Sequence, residues 1–227
     1  MVGASGSPAG AKSSASVNEY PRTRDLLHGV AEWLLAGPQY QRAGTIRLQV
    51  TDRGVATKDG LVAVEGNELV VRLNDLELNF ALTGTIAALG VAAGIEPSVP
   101  EGLYHDHAPV TVSAELSVDL AAVEQLFGWF RRGQEGIRIF DPAAAPVLWP
   151  EHFDLGFSRS EVNYGISPGD GYHPAPYAYV GPHAPRSGSF WNAPFGAVRA
   201  AAELLDAGAV AAFFRDGARR AQQDPLA

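Results

Sequence analysis

Apolar positions recur along this chain with two different periods. Between Thr23 and Ala36 they fall at Leu26, Leu27, Val30, Trp33 and Leu34. Steps of three and four make a helical stripe, and Gly37-Pro38 reads as its stop. The pattern then shortens into β-like runs at residues 45–51, 55–57, 61–64, 69–73 and 76–80. Asp52-Arg53-Gly54 and Glu65-Gly66-Asn67 separate some of these runs and read as hairpin turns. A small antiparallel sheet is predicted there. Residues 85–93 are Ala-rich and helical in pattern, with Gly94 behind them.

The second half alternates again. Pro97 and Pro100 break the chain before a strand-like run at residues 110–116. Asp119 is a good N-cap for a helix to Arg132, with Leu120, Val123, Leu126, Phe127 and Phe130 inward and Gly133 after it. Residues 137–140, 152–157, 162–166 and 177–180 read as strands. A last helix is predicted over 197–220, with Gly208 as a point of interruption. The fold class expected is α+β, mainly antiparallel sheet with flanking helices, as a single domain over residues 19–227. Residues 1–18 are Gly, Ser and Ala with almost no apolar content, and are expected to form a disordered tail.

Composition narrows the function classes. Net charge is −8, and the longest basic features are the pairs Arg131-Arg132 and Arg219-Arg220. Both fall at predicted helix ends, where cations complement the dipole. Nucleic acid, which needs a basic stripe, and anionic membrane are therefore not expected as partners. No apolar run approaches a bilayer span, and no export signal is visible, so a cytoplasmic location is the expectation. There are no cysteines. Disulfides, thiolate catalysis and Cys-based zinc sites are excluded. Only two of the 17 basic residues are lysines, Lys12 and Lys58, which looks like a GC-rich bacterial coding bias.

Candidate chemistry concentrates late in the chain. Five of the six histidines lie between 105 and 183, and aromatic residues and prolines crowd the stretch from Trp149 to Phe195. Trp149-Pro150-Glu151-His152-Phe153-Asp154 is the sharpest pattern. On a strand, His152 and Asp154 would share a face. A His-x-Asp pair plus a third ligand from His173 or His183 would build an iron site with open positions, or a zinc site with an activated water. Glu151 or Asp170 could then act as general base. The same pair could equally orient a ring or cap a loop by hydrogen bonding alone. His105-Asp106-His107 is a second pair of this kind. With Gly169, Gly171 and His173 it partly resembles the two metal motifs of cupin barrels, although one residue, not two, separates Gly171 from His173.

Ser167-Pro168-Gly169-Asp170-Gly171-Tyr172-His173 is turn chemistry that could present Asp170 and His173 to a pocket. Trp149, Tyr172, Tyr177, Tyr179 and Trp191 would wall such a pocket and suit a planar or sugar-like ligand. No phosphate loop, nucleophile elbow, H-E-x-x-H helix or dinucleotide fingerprint is present. Leu148-Trp149-Pro150-Glu151-His152-Phe153-Asp154-Leu155, then Ser167-Pro168-Gly169-Asp170, then Pro176-Tyr177-Ala178-Tyr179, resembles an uncharacterised bacterial domain-of-unknown-function family carrying W-P-x-H-F-D, S-P-G-D and P-Y-x-Y segments. The resemblance covers roughly residues 148–183. It implies one structural unit there, and no activity, cofactor or substrate. Two functions are expected from the residues: a metal-dependent enzyme, oxygenase or hydrolase, acting on a small molecule with a divalent Fe or Zn; or a non-catalytic small-molecule or carbohydrate-binding domain with an aromatic pocket.

Overall fold

A computed structural model describes residues 19–227; the expected tail at 1–18 lies outside them. The chain is α+β. It opens with α1 (Tyr20–Val30), a π-helical segment (Ala31–Ala36) and α2 (Gly37–Ala43), and turns into the strands β1 (Leu48–Val50), β2 (Gly54–Thr57), β3 (Val62–Glu65), β4 (Glu68–Leu73) and β5 (Leu76–Ala81). After β6 (Thr83–Thr85) come α3 (Ile86–Ala93), β7 (Glu115–Ser117) and α4 (Leu120–Phe140). The second half adds β8 (Val147–Trp149), β9 (Asp154–Arg159), β10 (Val162–Ser167), β11 (Tyr177–Pro182), β12 (Ala197–Ala200) and α5 (Ala207–Gln223).

Ten of these strands form one antiparallel sheet in the order β12-β11-β10-β9-β8-β1-β2-β3-β4-β5, and β6 pairs with β7 apart from it. The sheet stays open, with β12 and β5 as edges, so it is not a barrel. Its two halves meet at a single register pair, Leu48 opposite Leu148. Alternation sends Leu48, Val55, Val64, Leu69, Leu148, Leu155, Tyr164, Ile166 and Val180 to one face. There they join Phe127, Phe130, Ile137, Val210 and Phe214 of α4 and α5 in one core cluster. Helix α4 ties the halves together. Gln134 Nε2 donates to Val50 O at 3.2 Å, and Trp129 Nε1 donates to Ser167 O at 2.9 Å.

Four sequence expectations are corrected. Gly37-Pro38 does not stop the first helix. In the π-helical register the Gly37 N–H bonds Glu32 O, and the next donor, which would serve Trp33 O, is missing at Pro38. Ser98 N–H takes that carbonyl at 3.0 Å, and the Ser98 backbone passes so close that a Cβ on Gly37 would lie 1.8 Å from its oxygen. Helix α4 runs past Arg132 and absorbs the strand expected at 137–140. Gly133 is no stop there, because a Cβ at that position would meet the Ile166 side chain at 2.2 Å. The last helix starts at Ala207, not Ala197. Asp206 caps it by accepting from Ala209 N, which leaves Ala197–Ala200 to pair with β11. Of the run 110–116, only Glu115 and Leu116 enter a strand, β7.

Candidate functional site

The helices cover one face of the sheet, and the site lies on the other. Trp149, Asp154, Gly156, Gly165, Tyr177 and Tyr179 alternate onto that face, with Trp149 opposite Asp154, Gly156 opposite Gly165, and Gly165 opposite Tyr179. The Tyr179 phenol lies across both glycines. A Cβ on Gly165 would sit 2.4 Å from its oxygen, and one on Gly156 2.7 Å from it. Only bare backbone at both positions lets the hydroxyl cross β10 and donate to Asp154 Oδ2. Asp154 is buried. Desolvation pushes its carboxyl up to about 6, with Glu151 also raising it, against the lowering effects of the Tyr179 hydrogen bond and nearby His152. Burial first, then the Asp154 charge, holds the Tyr179 phenol far above its ordinary value.

The turn before β9 explains why His152 does not alternate with Asp154. Phe153 has φ +51°, in the left-handed region that a bulky residue seldom adopts. Its ring is fully buried, stacked on His28 at 5.1 Å and edge-on to Phe130 at 5.4 Å. His28 Nε2 in turn donates to Pro150 O at 2.6 Å. Burial pushes the His28 ring down, towards the neutral form. This packing fixes residues 150–153 as a turn, and the strand begins only at Asp154. Strain of this kind is often held at working sites by surrounding packing.

Above Asp154 and Tyr179 opens a cavity of about 640 Å³, walled by Trp149, Glu151, His152, Arg47, Arg159 and Asn163 among others. Arg159 is paired with Asp141 at 3.2 Å. Arg47 lies over the Trp149 ring at 5.7 Å, and its guanidinium meets no carboxylate among the described residues. A smaller cavity of about 390 Å³ lies on the far side of the Glu151-His152 turn, which lines both.

Of the residues singled out from sequence, the structure brings Trp149, Glu151, His152, Asp154 and Tyr179 to one cavity. The other expected ligands stand elsewhere. His173 turns back on its own loop, Nδ1 on Ala175 O at 2.8 Å, and His183 meets Asn163 Oδ1 at 3.3 Å from an exposed position. Among the described residues no group of three or more His, Cys, Asp or Glu side chains is placed to hold a metal ion. Asp170 organises its loop. It accepts from the Tyr172 and His173 backbone N–H groups and from the Tyr177 hydroxyl, so as a general base it would first have to give up bonds. Tyr177 stands behind Tyr179. Tyr172 is half exposed against Phe195. Trp191 does not wall the cavity, because its Nε1 donates to Asp224 at 2.9 Å and holds it against the end of α5.

Sequence reading missed Arg47 and Glu32. Arg47 carries no local signal. Glu32 does, as a carboxylate inside an otherwise apolar helical stripe, and it is 1% exposed. No family model matches this chain, and no match is found among curated proteins or solved structures.

Proposed function

We propose that the protein binds a small polar molecule in the cavity on the open face of the sheet. The supporting observation is the Asp154–Tyr179 pair at its floor. A buried carboxyl with a titration near 6 is costly to keep, and two glycines are given over to letting the phenol reach it. Nothing in the helix-covered core requires that pair. The walls define the ligand's chemistry. Trp149 offers a flat apolar face of the kind that sugar rings and planar molecules cover. Asp154 accepts from a ligand hydroxyl or amine. Arg47, without a carboxylate of its own, meets an anionic group. A sugar acid or a small hydroxy acid combines all three.

A thermal-shift screen of sugar acids, sugar phosphates, hydroxy acids and neutral sugars tests this. A ligand that binds only the folded chain raises its Tm by mass action. We expect anionic hydroxylated compounds to raise it, with the shift lost in Trp149→Ala and in Asp154→Asn. A shift that survives both substitutions would place the ligand elsewhere and sink the reading.

A further inference from the structure

The smaller cavity carries a second constellation that the binding reading does not use. Glu32, on the π-helical segment, is buried, and three donors converge on it from the loop after α3. The Tyr104 hydroxyl reaches Oε1 at 2.9 Å, the Ala108 N–H reaches Oε2 at 2.8 Å, and His107 Nδ1 stands 2.6 Å from Oε1. With Tyr104 and Ala108 donating, the carboxylate is the acceptor of the network, so Nδ1–H donates too. In its neutral form the ring then holds its lone pair on Nε2. The ring is 40% exposed, it lines the cavity, and Nε2 has no partner among the described residues. A buried carboxylate holding one imidazole nitrogen while the other faces a cavity is the arrangement of an oriented general base. π-helical segments are themselves frequent at functional sites.

We propose that this cavity is a general-base site in which His107 Nε2, oriented by Glu32, activates an O–H bond of water or of a small hydroxylated substrate. In that step the O–H bond breaks, its electron pair stays on oxygen, and an N–H bond forms at Nε2. The resulting imidazolium faces the Glu32 carboxylate and later returns the proton. Around the ring, Asp25, Glu151 and Asp170 oppose the single guanidinium of Arg24, which is itself held by Asp25 at 2.7 Å. Such a lining admits uncharged or amine-bearing compounds and repels anions.

The test uses the full chain and 4-nitrophenyl acetate, an uncharged ester, as probe. Water attacks the acyl carbon while His107 takes its proton, the ester C–O bond breaks, and 4-nitrophenolate leaves with the electron pair. His107→Gln is expected to lower the protein-catalysed rate at least tenfold. Glu32→Gln should lower it several-fold, and long-range ¹H–¹⁵N spectra should then lose the Nδ1–H tautomer of His107. His105→Gln, an exposed neighbour on the same loop, should leave the rate unchanged. Tyr104→Phe removes a different bond to Glu32 and measures the effect of loosening the loop alone. A folded His107→Gln variant whose rate matches wild type, or falls no further than that of Tyr104→Phe, would overturn the proposal. The ligand screen of the larger cavity is unaffected by either result.

Discussion

At the scale of single residues, Asp154 and Tyr179 set the chemistry of the open face. Burial holds the Asp154 carboxyl near 6, against an ordinary value of 3.8. Between about pH 4 and 6 the folded chain therefore keeps a proton that the unfolded chain has released. The stability this lends is complete below about pH 4 and is lost as pH rises through 6, a change of up to about 3 kcal/mol. Asp154→Asn removes the titration. Urea unfolding should show the variant gaining on wild type between pH 4 and pH 7.5, and a difference that stays constant across that range would contradict the burial argument. Gly165 is coupled to the same pair. Gly165→Ala should cost about 1–3 kcal/mol by overpacking, and part of that cost should vanish in a Tyr179→Ala background, where the Leu155 carbonyl, 2.7 Å from the added methyl, still crowds it. Additive costs in that double-mutant cycle would show that the ring is not what the glycine accommodates. The sequence marked Asp154 and Tyr179 by their spacing on strands. It could not show that the phenol crosses a neighbouring strand, because that contact depends on bare backbone at Gly156 and Gly165, brought beside Tyr179 only by sheet register.

Among the elements, strands separated by short turns were legible, as was the end of α3 at the left-handed Gly94, but the helix ends expected at Gly37-Pro38 and Gly133 were not. The runs around β1–β5 were visible as apolar alternation between Gly- and Asn-containing turns, and β9–β11 as alternation in an aromatic-rich stretch. Gly37 and Gly133 looked like stops because local propensity treats glycine as a breaker. Each instead admits a neighbour: the Ser98 backbone and the Ile166 side chain. Helix α4 offers an internal comparison. Gly133→Ala should destabilise the protein by about 1–3 kcal/mol, since Ile166 carbons stand 2.2–3.0 Å from the added methyl. Gly128→Ala meets nothing closer than the tip of Arg131 at 3.7 Å, and should stabilise by about 0.5–1 kcal/mol through helix propensity. Equal signs in chemical denaturation would refute the packing explanation. His152 failed as a strand neighbour of Asp154 for a related reason. The left-handed Phe153 between them is set by its burial under His28, across a sequence separation that no local pattern reports.

For the whole molecule, the weak point of the sheet and the reach of α4 compensate each other. One register pair joins the two five-stranded halves, while α4 packs across both. The halves should therefore unfold together. Phe130→Ala, at a fully buried position, should cost about 3–5 kcal/mol and lower the far-UV circular dichroism and tryptophan fluorescence transitions by the same amount. Two separated transitions would mean that each half stands alone. The fold class was legible from periodicity, but the joining of two hairpin arrays into one ten-stranded sheet was not, since it rests on the β1–β8 contact between segments about a hundred residues apart. The membrane expectation meets one structural fact: no described helix is long and apolar enough to cross a bilayer.

The phenol resting on two glycines also constrains the order in which this surface could have been assembled. A tyrosine at 179 in that pose collides with any side chain at 165, so the glycines had to come first, or the ring had to lie elsewhere until they did. Once the pair is in place, neither glycine can readily revert while the tyrosine remains. The arrangement works as a ratchet, and a lineage that lost Tyr179 could refill position 156 more readily than position 165, where the Leu155 carbonyl would still stand 2.7 Å from an added Cβ.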